Sequence, residues 1–171
     1  ALQEMEATVN RATQLANQML SLAKVEQLRQ QDAPLTNWDM VVREVTLDLA
    51  PLIADKLLDF ELQADLPLPV KAHDWMLREL VRNLLHNAIR HAPIGSSLLV
   101  ALHPASTGSP PQATLCITDQ GPGLSSEVQA RLYEPFSAGD SRQGSGLGLA
   151  ICQEIAQACG GTLALHNRIA H

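Results

Sequence analysis

Apolar or small residues recur at alternating steps of three and four through residues 1–31: Leu2, Met5, Val9, Ala12, Ala16, Met19 and Ala23, with Leu15 and Leu22 widening the stripe. This is a heptad pattern without Gly or Pro. It predicts one helix ~45 Å long at 1.5 Å per residue, with a stripe that needs a partner. Asp32-Ala33-Pro34 ends it. Beyond that break the periods alternate between those of strands and helices. Leu35 to Asn37 predicts a short strand. Asp39 to Leu57 predicts a helix with Pro51 as a kink or break, and Asp59 to Ala64 a strand. Leu66-Pro67-Leu68-Pro69 reads as a loop. A helix follows from Trp75 to His91, capped by Asp74 and ended by Pro93. Ser97 to His103 and Ala113 to Asp119 form two strands joined by a Pro/Gly/Ser-rich connection. A short helix runs from Ser125 to about Leu132. Residues 137–145 are loop, residues 147–159 helix, and Thr162 to His166 a last strand opened by Gly160-Gly161.

The helix from Trp75 to His91 sorts into two faces. Leu77, Leu80, Val81, Leu84, Leu85, Ala88 and Ile89 share one side; Glu79, Asn83, His86, Asn87 and Arg90 fall on the other. A solvated face is the plain explanation. Two asparagines one turn apart weigh against it, because Asn is a mediocre helix former where Lys and Glu usually serve. An Asn carbonyl is a hard oxygen ligand suited to Mg²⁺, which keeps waters and borrows phosphate oxygens.

Two further stretches carry candidate chemistry. Asp119-Gln120-Gly121-Pro122-Gly123-Leu124 ends a strand. It is either an Asp-initiated turn or a carboxylate set to accept a hydrogen bond from a ligand amine. Gly144-Ser145-Gly146-Leu147-Gly148-Leu149-Ala150-Ile151 alternates glycines and then enters a helix. Such a run is either a surface turn capping that helix or an anion site, with backbone amides and the helix dipole aimed at phosphate. No Lys-Ser/Thr follows its last glycine and the spacing is not that of a dinucleotide fingerprint, which excludes the common phosphate loops.

Composition narrows the classes. The chain has 171 residues, 46% hydrophobic and only 3% aromatic, which specifies an aliphatic core for one domain plus an appendage. Net charge is −6 without a basic cluster, which argues against nucleic acid as a partner. Cys116, Cys152 and Cys159 form no Cys-x-x-Cys pair and read as free thiols of a reducing cytoplasm. No transmembrane stretch or signal peptide occurs. The start at Ala1, mid-pattern and without Met, reads as an excised piece, so this says little about the parent.

The residues carry a resemblance. Asn83-Leu84-Leu85-His86-Asn87-Ala88 resembles the N box of bacterial two-component sensor histidine kinases, and Asp119 to Leu124 their first glycine box. Tyr133-Glu134-Pro135-Phe136 resembles the F box and Gly144 to Ile151 the second glycine box, all in family order. Residues 1–31 resemble the second helix of the family's dimerisation and phosphoacceptor hairpin, and residues 34–171 the ATP-binding catalytic domain. The resemblance implies an α+β fold, a two-layer α/β sandwich with a mixed sheet and helices on one face, of the Bergerat type shared with gyrase, Hsp90 and MutL. It implies ATP and Mg²⁺ as ligands, a response regulator as partner, a homodimer through the hairpin helices, and a cytoplasmic position in an inner-membrane sensor.

By the same resemblance Asn87 binds Mg²⁺ bridging the ATP phosphates and Asn83 sits beside them. Arg90 contacts phosphate and His91 flanks the nucleotide. Asp119 accepts from the adenine amine; Gly121 and Gly123 shape the purine pocket, and Leu124 is also ATP-binding. Gly144, Gly146 and Gly148 hold the phosphates and hinge the lid, with Ser145, Leu147 and Leu149 also ATP-binding. Tyr133 and Phe136 anchor the lid base or pack in the core. The reaction implied is transfer of the ATP γ-phosphoryl to a histidine, then relay to a regulator aspartate. The sequence departs from the family pattern in four places. The first hairpin helix is absent, and none of His73, His86, His91, His103, His166 or His171 sits in the family's acceptor pattern; His73 precedes Asp74 but falls near an element end. The lid after Phe136 is short, and the chain stops near Asn167 before the family's last strand. The rivals are an ATPase of the same superfamily, which usually has Glu at the position of Asn83, and a nucleotide-binding regulatory module. A neutral amide cannot serve as that general base.

Overall fold

The computed structural model describes residues 1–104, 112–131 and 148–168. It divides into two compact units, Ala1–Asp32 with Leu124–His171, and Ala33–Gly123.

In the first unit, α1 (Leu2–Arg29) is one unbroken helix. It packs on α5 (Gly148–Ala158), where Arg29 Nη2 donates to Glu154 Oε2 at 3.1 Å and to the Glu154 carbonyl at 3.3 Å. Val25 is its buried residue. The heptad stripe is otherwise open: Leu2 is 83% exposed, Met5 66%, Val9 62% and Met19 56%. α5 buries Ala150, Ile151, Cys152, Ile155 and Ala156, one face of a 3.6-residue period. It ends in a left-handed turn at Gly160 (φ 72°), with Gly161 N donating to the Ala156 carbonyl at 2.8 Å and Gly160 N to the Gln157 carbonyl at 3.0 Å. The short α4 (Ser126–Arg131) lies between Leu124 and the undescribed stretch.

Among the described residues, the segment expected as a strand from Thr162 to His166 is not assigned to one. Leu163 and Leu165 are half-buried between exposed neighbours, as in a strand. The Asn167 amide brackets Leu124, accepting from its N–H at 2.7 Å and donating to its carbonyl at 2.8 Å. Alternation specifies which side chains turn inward; a strand also needs paired backbone groups.

Among the described residues the second unit holds two sheets and two helices. β2 (Asp59–Gln63) runs parallel to β4 (Ser97–His103), which pairs antiparallel with β5 (Thr114–Thr118), giving a mixed sheet in the order β2-β4-β5. β1 (Leu35–Asn37) pairs antiparallel with β3 (Pro69–Lys71), Leu35 opposite Lys71. β3 was not expected from sequence. It opens on a proline, which is tolerated at the first position of an edge strand. α2 (Trp38–Asp55) and α3 (Asp74–His91) pack on each other. Val41, Val42, Val45, Leu49 and Ile53 of α2, with Met76, Leu77, Leu80, Val81, Leu85, Ala88 and Ile89 of α3, form the helical part of the core. Leu98, Val100 and Leu102 of β4 supply the sheet part. This is the mixed α/β architecture expected.

Pro51 neither breaks nor ends α2. It is exposed, and so is Leu47 four residues earlier, so the carbonyl that Pro51 leaves without an N–H partner lies on the solvent side. Asp74 does not cap α3; His73 precedes the helix without a side-chain cap bond. The Asp74 carboxylate instead takes Arg78 Nε at 2.6 Å, and Arg78 also pairs with Glu44 of α2. Those two carboxylates raise the Arg78 pKa. Arg82 and Asp48 repeat the α3–α2 link one turn on, at 3.1 Å.

Candidate nucleotide site

The last turn of α3 organises the candidate site. Asn83, Asn87 and Arg90 are half-buried on the face opposite the apolar stripe, with His86 exposed among them. Asn83 Nδ2 donates to the Glu79 carbonyl at 2.8 Å and to Glu79 Oε2 at 3.4 Å, which orients its amide. Arg90 Nη2 reaches Asn87 Oδ1 at 3.5 Å. The asparagine oxygen proposed as a ligand thus already faces a cation. Partial burial, then the charge of Arg90, lowers the pKa of His86. Burial and Arg90 lower that of His91 too, with Asp119 opposing and Lys56 adding to the drop. Both imidazoles are therefore mostly neutral at neutral pH.

Asp119 follows β5 and turns its Oδ1 onto the Gly121 N–H at 2.6 Å. The turn reading and the ligand reading are compatible, because a carboxylate has a second oxygen. A Cβ on Gly121 would sit 2.7 Å from Asp119 Oδ1 and 3.0 Å from the His91 carbonyl oxygen. Glycine is required there by space. At Gly123 it is required by conformation, with φ at 78°. Gln120 Oε1 accepts from Ser97 N at 2.9 Å and ties the loop to the start of β4.

The structure thus brings Asn83, Asn87, Arg90 and His91 onto one helix, with Asp119 and Gly121 against its carboxyl end. Leu124, Gly148 and Leu149 belong to the other compact unit, the last two opening α5. Tyr133, Phe136, Gly144, Ser145, Gly146 and Leu147 lie outside the described residues. Among the described residues no three His, Cys, Asp or Glu side chains group as a metal site, and no helix is long and apolar enough to cross a membrane.

Two contributors were missed from sequence. Lys56, just after α2, donates Nζ to the Arg90 carbonyl at 2.6 Å and to the Ala92 carbonyl at 2.8 Å. Its partners are backbone oxygens of another helix, and no residue pattern announces those. Gln120 could have been noticed as the polar residue inside the glycine-rich turn.

Comparison with known proteins fits this geometry. Residues 73–170 match the histidine kinase-, DNA gyrase B-, and HSP90-like ATPase family, and the chain belongs to that family. Within it the chain is a catalytic ATPase domain homologous to those of sensor histidine kinases. It is 33% identical to sensor protein QseC of Salmonella typhi over 177 residues, which span 98% of this chain and 36% of the relative. The chain therefore spans about a third of the length of that curated relative. Among solved structures, a mycobacterial sensor histidine kinase, MprB, is 29% identical with a TM-score of 0.63, over 75% of this chain and 80% of that one. The Acinetobacter baumannii histidine kinase AdeS is 25% identical with a TM-score of 0.69, over 92% and 72%.

Proposed function

We propose that this chain binds Mg-ATP at the polar face of α3 and serves, in its parent, as the catalytic part of a histidine kinase. The γ-phosphoryl of ATP goes to a histidine outside this chain and then to an aspartate of a response regulator. The observation that carries the proposal is the junction of the α3 carboxyl end with Asp119 and Gly121 beside a helix face bearing two asparagines and an arginine.

The donor set fits the ligand. The second carboxylate oxygen of Asp119 accepts from the adenine amine, while Gly121 lets the purine approach the backbone. Asn87 offers an amide oxygen to Mg²⁺ and Asn83 a neighbouring amide; phosphate and water complete the shell. Arg90 supplies a fixed positive charge for phosphate. When bound, Mg²⁺ neutralises charge that builds on the transferred phosphoryl group. By the same reading Gly144, Ser145, Gly146, Leu147, Gly148 and Leu149 are assigned to the phosphates, and Leu124, Tyr133 and Phe136 to nucleotide binding. Asn83 is neutral and cannot activate water, which disfavours a hydrolytic ATPase.

We assign residues 1–31 to a helix of the dimerisation hairpin and residues 34–171 to the ATP-binding domain. The open stripe of Leu2, Met5, Val9 and Met19 supports the first assignment and a homodimeric parent. The parent is read as an inner-membrane sensor with this part in the cytoplasm. Alone with labelled ATP, the chain should gain no acid-labile phosphate, since residues 1–31, assigned to the hairpin, hold no histidine. Mixed with a fragment carrying the parent's complete hairpin, it should label that fragment's histidine. Stable phosphohistidine on this chain alone, or none on the fragment, would contradict the proposal.

A further inference from the structure

Three consecutive carbonyls at the end of α3 face two neighbours, Lys56 and Gly121. Those of Arg90 and Ala92 accept from Lys56 Nζ at 2.6 and 2.8 Å. The one between them, of His91, stands 3.0 Å from where a Gly121 Cβ would be. Gly121 N–H in turn holds Asp119 Oδ1 at 2.6 Å. The lysine is itself fixed at its backbone. Its carbonyl accepts from Gly95 N at 2.9 Å, and its N–H reaches the Leu52 carbonyl at 3.3 Å. It is half-buried, so these charge-assisted bonds work in a partly desolvated setting.

We propose that Lys56 is a positioning residue for adenine recognition: it clamps the last turn of α3, and that turn is the wall against which Gly121 and the Asp119 carboxylate are set. The inference rests on the nucleotide reading given above. An ammonium on the carbonyl end of a helix also complements the helix dipole. A purely structural lysine would do that much and no more. The distinguishing consequence is selectivity. Asp119 and Gly121 address the base, whereas Asn87 and Arg90 address phosphate. Loosening the wall should harm base recognition and spare phosphate binding.

The test compares binding of a non-hydrolysable ATP analogue and of inorganic tripolyphosphate, both with Mg²⁺, to the wild-type chain and to Lys56→Met and Lys56→Arg. Lys56→Met keeps the aliphatic stem. It should weaken the ATP analogue about tenfold and leave tripolyphosphate within about twofold. Lys56→Arg, which keeps a cation and donors, should recover most of the selectivity. If Lys56→Met weakens both ligands in proportion, or neither, the inference is wrong. If the wild type binds neither, the nucleotide reading itself is wrong and the inference falls with it. Should Lys56→Met fail to fold, Lys56→Gln followed by NMR decides. The His91 pKa should rise and the Gly121 amide resonance should move; an unchanged pair of signals overturns the inference.

Discussion

The Gly121 N–H donates to Asp119 Oδ1 at 2.6 Å, and the space where a side chain on Gly121 would begin is taken by that oxygen and by the His91 carbonyl. The candidate recognition carboxylate is therefore oriented by its own loop before any ligand arrives. Preorganisation of this kind lowers the entropy lost on binding.

Gly121→Ala should both destabilise the chain and weaken adenine nucleotide binding. The new methyl meets a carboxylate oxygen and a backbone carbonyl rather than a flexible side-chain tip. Relief requires moving the loop or the end of α3, at about 1–3 kcal/mol. Urea denaturation and nucleotide titration should both shift. Full retention of both would mean that the loop relaxes freely.

Leu57 occupies a left-handed conformation (φ 52°) just past α2, with Leu58 N on the Ile53 carbonyl at 3.2 Å and Leu57 N on the Ala54 carbonyl at 2.9 Å. Gly160 fills the equivalent place after α5. The same helix ending is thus built once with glycine and once with leucine. Leu57 is 73% exposed, so little packing is lost on its removal. Leu57→Gly should stabilise the chain by about 1 kcal/mol, the relief of a left-handed side chain partly offset by the flexibility of an unfolded glycine. A raised urea midpoint at unchanged slope is the expected result.

His86 and His91 have folded pKa values below the ordinary value of 6.5, because burial and Arg90 disfavour the imidazolium. Below 6.5 the unfolded chain takes up protons that the folded chain resists. Their contribution to stability is therefore complete above that pH and is lost as pH falls toward the depressed values. Thermal stability should decline from about pH 7 to about pH 5.5. The decline should be shallower in the His86→Gln, His91→Gln double variant. An identical slope in the variant would assign the effect to other groups.

Legibility in the sequence followed the range of the forces involved. The two faces of α3 were legible because a helical period acts within one element; every apolar position named there is buried except Leu84, which is half-buried. β4 and β5 were legible because a Pro/Gly/Ser-rich connection separates two runs of strand type. β3 was not: three residues beginning at Pro69 carry too little pattern, and its pairing with Leu35 to Asn37 is a long-range event. Thr162 to His166 alternates like a strand without being one among the described residues, and Pro51 breaks nothing because its face is solvated. In the candidate site, side chains set by local spacing, such as Asn83, Asn87 and Asp119, could be named in advance. Lys56 could not, since its partners are carbonyls of a helix more than thirty residues away.

The central claim is that the polar face of α3 is a Mg-ATP site. Calorimetry with a non-hydrolysable ATP analogue tests it most directly, on the wild type, Asp119→Asn and Asn87→Ala, with Mg²⁺ and with EDTA. Wild type should bind with a dissociation constant in the micromolar-to-millimolar range, on the order of −4 to −8 kcal/mol. Asp119→Asn should bind about tenfold or more weakly, and Asn87→Ala should lose the enhancement by Mg²⁺. A folded wild-type chain that gives no heat at millimolar analogue, or variants that match it in both conditions, would contradict the account.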